Sequence, residues 1–134
     1  MSVDLLPVSF ILPSDSKDFK CFVKKTLKDQ FWIVKPLNSQ GGEGVQVVNG
    51  TKNISRKKPA IVQKYISDPC LINGHKFDLR LYVLITNLDP LVVYLYKDGL
   101  VRFASKHYSN RTDKLKDMLV HLTNWEINKV QPTK

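Results

Sequence analysis

Cysteine is nearly absent from this 134-residue chain. Cys21 and Cys70 are too few and too far apart for a disulfide framework or a zinc site, which makes a reducing compartment the simpler setting. Long apolar runs are missing as well, none approaching the roughly 18 residues that a membrane-crossing helix needs. Asp4 stands where a secretory signal would carry a basic residue, so the chain reads as soluble and intracellular. Acidic residues are scarce, 12 Asp and Glu against 21 Lys and Arg, for a formal net charge of +9. That surplus favours an anionic partner (nucleic acid, acidic lipid, nucleotide or acidic protein tail) and selects none of them. There is no internal repeat and no low-complexity stretch. What remains, 43% hydrophobic residues, suits one globular core at this length and argues against a disordered tail or two independent domains.

Residues 15–28 have the spacing of an amphipathic helix, with Phe19, Phe22, Val23 and Leu27 on one face and Ser14 or Asp15 able to cap the first turn. A strand over residues 31–35 is closed by Pro36. The polar, glycine-rich stretch 38–44 leads to a short strand over 45–48, and Asn49-Gly50 marks a turn. Further strands are expected over residues 60–66, 77–86, 91–96 and 100–104, the last three as an antiparallel meander turning at Lys97-Asp98-Gly99. A short helical turn fits residues 113–119. The fold class is therefore mixed α/β (α+β), a mostly antiparallel sheet with one packed N-terminal helix.

Alternation along strands makes their charged residues informative. In residues 77–86 the apolar Phe77, Leu79, Leu81, Val83 and Ile85 share one face, and Asp78, Arg80 and Tyr82 share the other, with Lys76 leading into it. Charges inside an apolar strand are costly unless the face is wet, paired or holds a ligand. One reading is an ion pair on the solvent side of the sheet. The other starts from Lys35 and Arg102, each in a neighbouring apolar strand: three cations and one carboxylate converging would make a groove suited to a polyphosphate whose ribose needs an acceptor. The loop Gln40-Gly41-Gly42-Glu43-Gly44 would complete it, because glycines let backbone N–H groups approach phosphate oxygens. It is neither a Walker loop nor a Rossmann fingerprint. It suggests a hairpin flap lying over phosphates, although by itself the signal is weak, since most glycine-rich turns are plain hairpins.

Other features carry less. His75, His107 and His121 lack metal-ligand spacing and read as structural histidines. Arg56-Lys57-Lys58 reads as a solvated loop, and the aromatics as core or sheet surface rather than base-stacking platforms. No Ser-His-Asp arrangement, zinc cluster or pair of glycosidase carboxylates is present in the pattern. A non-catalytic basic module that docks on acidic tails or nucleic acid stays open on charge alone, although no nucleic-acid-binding motif supports it.

Six segments in order resemble the tubulin tyrosine ligase-like family: Phe31 to Pro36, Ser39-Gln40-Gly41-Gly42-Glu43-Gly44-Val45, Val62-Gln63-Lys64-Tyr65-Ile66, Lys76-Phe77-Asp78-Leu79-Arg80-Leu81-Tyr82-Val83-Leu84, Leu100-Val101-Arg102-Phe103-Ala104 and His121-Leu122-Thr123-Asn124. Residues 7–13 are similar to that family's lead-in, so the likeness covers roughly residues 7–130. It implies a partial ATP-grasp fold with a glycine-rich flap, and an ATP-dependent ligase that joins an amino acid to a protein carboxylate through an acyl phosphate.

The resemblance also implies roles. Lys35 and Lys76 would contact ATP phosphates under a flap of Gln40, Gly41, Gly42 and Gly44. Gln63, Lys64, Tyr65 and Ile66 would form the adenine segment, partly through their backbone. Asp78 would meet the ribose or nucleotide, with Thr123 and Asn124 also facing it. Arg80 would hold the γ-phosphate, and Arg102 the carboxylate of the incoming amino acid, assisted by Lys129 and shaped by Trp125. The implied partners are ATP, free glutamate and the acidic tails of tubulin, with no membrane and no nucleic acid, in a cytoplasmic, cytoskeletal setting that includes cilia and flagella.

Two departures accompany the likeness. After Thr-Asn, glutamate-adding relatives commonly carry Tyr and then Ser or Ala, whereas this chain has Trp125 and Glu126, an anion beside the implied amino-acid pocket. The flap and the Arg102 segment nevertheless lean to the polyglutamylase branch. The carboxylates that bind Mg2+ in the family are expected downstream of residue 134 and none is assigned here. The expectation is thus a single incomplete ATP-grasp domain over residues 1–134, without the N-terminal subdomain and the C-terminal metal-binding part, and inactive by itself.

Overall fold

A computed structural model describes residues 5–26 and 30–129. In chain order the elements are β1 (Ser9–Leu12), α1 (Ser16–Lys25), β2 (Phe31–Pro36), β3 (Gln46–Asn49), β4 (Ala60–Lys64), β5 (Leu71–Ile72), β6 (His75–Arg80), β7 (Val83–Leu88), β8 (Leu91–Leu95), β9 (Leu100–His107), a 3-10 turn (Thr112–Lys114), α2 (Met118–His121) and α3 (Trp125–Asn128). The fold is mixed α/β with antiparallel sheets, as the alternation of apolar residues implies. Among the described residues no helix is long and apolar enough to cross a membrane.

The first sheet has the order β1-β4-β2-β3. Alternation sends Trp32 and Val34 of β2 and Val62 of β4 to one face, where α1 lays Phe19, Phe22 and Val23 against them. Phe10, Leu12 and Ile54 close this core. Phe19 meets the Trp32 ring edge-on at 5.2 Å, and both are almost wholly buried. Such an edge-to-face pair adds to plain area burial. Leu27 and Lys28, expected at the end of this helix, lie outside the described residues. Asp15 does stand at the N-cap, but its carboxylate reaches back to accept from the Ile11 N–H at 2.7 Å instead of capping the helix. The opposite face of the sheet carries Phe31, Ile33, Lys35, Gln63 and Tyr65. There Tyr65, Val47 and Leu115 form a second, smaller core.

The run expected as one strand over residues 77–86 is two strands in two different sheets. β6 pairs with β9, and β7 pairs only with β8. Hence the last three strands are not a meander: the hairpin β7–β8 is inserted between β6 and β9, and a hydrogen bond from the Tyr96 N–H to the Tyr82 carbonyl closes its neck. Gly99 sits against this break. A Cβ built there would lie 2.8 Å from the Arg80 carbonyl oxygen, so only glycine lets the chain cross the end of β6 and return beside it. The turn signal at Lys97-Asp98-Gly99 thus marks a crossing, not a hairpin end. The short strands β1 and β5 and the turn α3 were not expected from the pattern.

Candidate functional site

Lys35, Gln63, Lys76, Asp78, Arg102 and Thr123 come together where the first sheet meets β6 and β9. Lys35 projects from β2 and donates to Gln63 Oε1 on β4 at 2.8 Å. The amide of Gln63 donates in turn to Ser9 Oγ at 2.7 Å, and Ser9 donates to the Pro7 carbonyl. The Gln63 oxygen is thereby turned towards the lysine. An ammonium held by one neutral oxygen keeps donors free for an anion.

Lys76 opens the corresponding face of β6. Its ammonium donates to the Tyr65 hydroxyl at 3.1 Å and stands 4.6 Å from the centre of the Tyr65 ring. Burial, and the like charge of Lys35, push its pKa down to about 8, with Asp78 opposing. Two residues on, Asp78 faces Arg102 across the β6–β9 ladder. Arg102 Nε and Nη2 donate to the two carboxylate oxygens, both at 2.7 Å, and Thr123 Oγ1 donates to Oδ2 at 2.6 Å. Burial raises the Asp78 carboxyl, but the hydrogen bonds from Arg102 and Thr123 and the charges of Arg102 and Arg80 outweigh it and hold the carboxyl below its usual range. Arg80 itself is exposed at the end of β6 and makes no side-chain hydrogen bond to another described residue. It remains a free cation on the same face as Lys76 and Asp78.

The glycine-rich loop closes one side. Gly41, Gly42 and Gly44 all have positive φ (61°, 93° and 69°), which side chains disfavour. A Cβ on Gly42 would come within 2.6 Å of Ile127 Cδ1 and 3.1 Å of the Asn124 side chain, and one on Gly41 within 3.1 Å of Glu126. The loop is therefore seated against Asn124 and α3, next to Thr123. Gln40 is exposed at its start and its carbonyl accepts from the Glu43 N–H.

Arg102, Thr123 and Trp125 line one cleft of about 510 Å3 with Phe103 and Asn128. Lys129 does not line it, since its ammonium pairs with Glu126 at 2.7 Å. That pair also neutralises the anion which the sequence placed beside this region. Lys64 and Ile66 stand apart from the cluster as side chains: both are exposed, and alternation turns Lys64 to the face opposite Gln63 and Tyr65.

Asn128 was missed by sequence reasoning. Its Oδ1 accepts from the Ser105 N–H and hydroxyl of β9, and its Nδ2 donates to the Leu122 and Asn124 carbonyls. This one amide ties β9, which carries Arg102, to the bend that carries Thr123. His75 and His107, far apart in sequence, have ring centres 4.4 Å apart, while His121 is buried and hydrogen-bonded as a structural histidine should be. Among the described residues no three His, Cys, Asp or Glu side chains are grouped to hold a metal, so no metal step is assigned to them.

Comparison with known proteins matches the Tubulin-tyrosine ligase family over residues 1–134. Tubulin monoglutamylase TTLL4 of Mus musculus is 47% identical over 123 residues, covering 92% of this chain and 10% of that protein. Tubulin polyglutamylase TTLL5 of Mus musculus is 43% identical over 126 residues, covering 93% of this chain and 9% of that protein. Tubulin polyglutamylase ttll6 of Danio rerio is 40% identical over 127 residues, covering 94% and 16%. The chain spans roughly a tenth of the length of the first two relatives. With its whole described length matched, it belongs to the tubulin-tyrosine ligase family.

Proposed function

We propose that this chain forms part of an ATP-dependent ligase that adds glutamate to side-chain carboxylates of tubulin tails through an acyl phosphate. Family membership and the names of the glutamylating relatives support the reaction. The single observation that carries the assignment of residues is the placement of Lys76, Arg80 and Arg102 about one carboxylate, Asp78, with Lys35 held by Gln63 near enough to Lys76 to depress its pKa. Three cations about one acid, with a fourth beside Lys76, have an excess of positive charge that suits a triphosphate.

On this reading Lys35 and Lys76 bind phosphate oxygens, and Asp78, fixed by Thr123, accepts from a ribose hydroxyl. Arg80 steadies the γ-phosphate. The loop of Gln40, Gly41, Gly42 and Gly44 excludes water above it, Tyr65, Lys64 and Ile66 offer backbone groups to adenine beside Gln63, and Asn124 borders the nucleotide. Arg102, with Trp125 across the 510 Å3 cleft, receives the carboxylate of the incoming amino acid, and Lys129 assists by cancelling the charge of Glu126 beside that cleft. ATP supplies the phosphoryl group that activates the acceptor. An acceptor carboxylate oxygen attacks the γ-phosphorus and ADP leaves. The glutamate amine then attacks the acyl carbon, phosphate leaves, and the nitrogen loses a proton as the amide forms. The cations offset charge that gathers on the transferring group, which is where catalysis of phosphoryl transfer resides.

The test is a chimera in which this chain replaces the matching 123-residue stretch of mouse TTLL4, incubated with tubulin, ATP and labelled glutamate, glycine or tyrosine. Incorporation of glutamate alone is expected, and its loss in Lys35→Ala. A folded chimera that transfers only glycine or tyrosine, or no label at all, would overturn the proposal.

A further inference from the structure

His121 is 2% exposed, and both of its ring nitrogens are engaged. Nε2 lies 3.1 Å from the Lys114 carbonyl oxygen, and Nδ1 lies 3.0 Å from the Tyr65 hydroxyl. A carbonyl oxygen can only accept, so Nε2 carries the hydrogen. Burial pushes the His121 pKa below the ordinary imidazole range, and the ring is neutral near pH 7 with Nδ1 as a bare acceptor. The Tyr65 hydroxyl must therefore donate to Nδ1. Burial raises the Tyr65 pKa, which keeps that proton in place. The remaining lone pairs of the Tyr65 oxygen accept from Lys76 at 3.1 Å.

The direction of the whole chain is thus fixed: Lys76 donates to Tyr65, Tyr65 to His121, and His121 to the Lys114 carbonyl. The rings are fixed too. Tyr65 meets His121 edge-on at 5.7 Å, and Tyr108 meets it edge-on at 5.8 Å from another side. Tyr108 donates its own hydroxyl to the Ser67 carbonyl, which anchors that wall. The charged and titratable groups that face Lys76 are Lys35 on β2, Asp78 on β6 and His121 on α2, with Tyr65 after β4. Those that face His121 are Tyr65, Tyr108, Lys76 and, ahead of α2, Asp117. No other hydrogen-bond acceptor for the Lys76 ammonium is present among the described residues.

We propose that Tyr65 and His121 are positioning residues that hold the Lys76 ammonium at one point beside Lys35 and Asp78. A lysine has a long, flexible stem whose rotamer freedom is lost on binding an anion. Here that ordering is done in advance by a ring whose hydroxyl is itself oriented from behind. The value of the held ammonium to a phosphate rests on the function proposed above. Its placement does not.

The experiment follows Lys76 by NMR in the chain labelled with 13C-lysine and 15N-histidine, first without nucleotide. The His121 spectrum is expected to show hydrogen on Nε2; hydrogen on Nδ1 would overturn the proposal. Lys76 is expected to titrate near its value of about 8. Tyr65→Phe keeps the ring face and removes the acceptor, so the midpoint is expected to fall by about one pH unit. His121→Phe should lower it by less, and His121→Asn, whose amide oxygen can replace Nδ1, should return it towards the wild-type value. An unchanged midpoint in a folded Tyr65→Phe chain would overturn the proposal, as would equal effects of His121→Phe and His121→Asn. Should His121→Phe fail to fold, Tyr65→Phe decides alone. A separate ATP titration expects roughly tenfold weaker binding in Tyr65→Phe, about 1.4 kcal/mol. If Lys76→Met leaves ATP binding unchanged, the nucleotide reading falls, while the lysine titration still decides the positioning role.

Discussion

Asp78 and Arg102 stand directly opposite each other on β6 and β9 and share two parallel hydrogen bonds of 2.7 Å. The pair is about a third exposed on each side, which limits its worth to the fold. Ion pairs in contact with water contribute roughly 0–1 kcal/mol. Geometry, not stability, is what this pair provides: a planar fork holds the carboxylate in one plane while Thr123 fixes its second oxygen.

Asp78→Ala is therefore expected to cost the folded state no more than about 1 kcal/mol, yet to abolish protection by ATP against thermal unfolding. Lys35→Ala should do the same. Melting curves with and without ATP, recorded on the TTLL4 chimera, check both. Protection that survives in Asp78→Ala would remove this residue from the nucleotide site. Arg102→Lys keeps the charge but loses the fork that holds Asp78, and should raise the KM for glutamate and weaken ATP protection without abolishing it.

The core makes the opposite prediction. Trp32 is 1% exposed and meets Phe10, Phe19 and Phe22 at centroid distances of 5.2–6.3 Å. Trp32→Ala should destabilise the chain by about 3–5 kcal/mol, measured by urea unfolding, and so unfold a marginal domain outright.

Gly42→Ala tests the seat of the flap. The new methyl would meet Ile127 at 2.6 Å in a backbone with φ +93°, and destabilisation of about 1–3 kcal/mol is expected. Adding Ile127→Ala relieves the contact but not the backbone strain. The double variant should recover only part of the loss, and full recovery would show that the close approach alone requires glycine.

One buried and one half-buried group, His121 and Lys76, set the pH dependence. The folded-state pKa of His121 lies below its unfolded value of 6.5, so the unfolded chain takes up the proton first and stability is lost as pH falls below 6.5. His121→Asn should flatten that part of the curve. The folded-state pKa of Lys76, about 8 against 10.5 unfolded, means that the native chain releases its proton first, and this group's contribution to stability rises between about pH 8 and 10.5. Lys76→Met should remove the rise. Chemical unfolding at pH 5.5, 7, 8 and 10 separates the two, with Tyr65 adding an opposite trend above pH 10 because its folded-state pKa is raised.

The strand pattern made the polar faces legible: a charge between apolar neighbours at 35, 78 and 102 leaves few places for a side chain to go, and ladder register then brings Asp78 to Arg102. Helix α1 was visible through its apolar stripe. The break at Leu81-Tyr82 was not, because residues on both sides of it keep the same alternation. The close approach of Gly99 to Arg80, which accompanies the break, appears only in three dimensions. Asn128 was invisible for a related reason. An asparagine in a short turn looks like any surface polar residue until its four hydrogen bonds to β9 and the preceding bend are seen. The short strand β1 carries too few residues for a period to register.

Asn128 also has a mechanical consequence. Because it grips β9 and the Leu122–Asn124 bend at once, Arg102 and Thr123 cannot drift separately from Asp78. The two jaws that clasp this acid are geared through one amide, so any force that slides β9 along its neighbour must also turn the bend beneath the glycine loop.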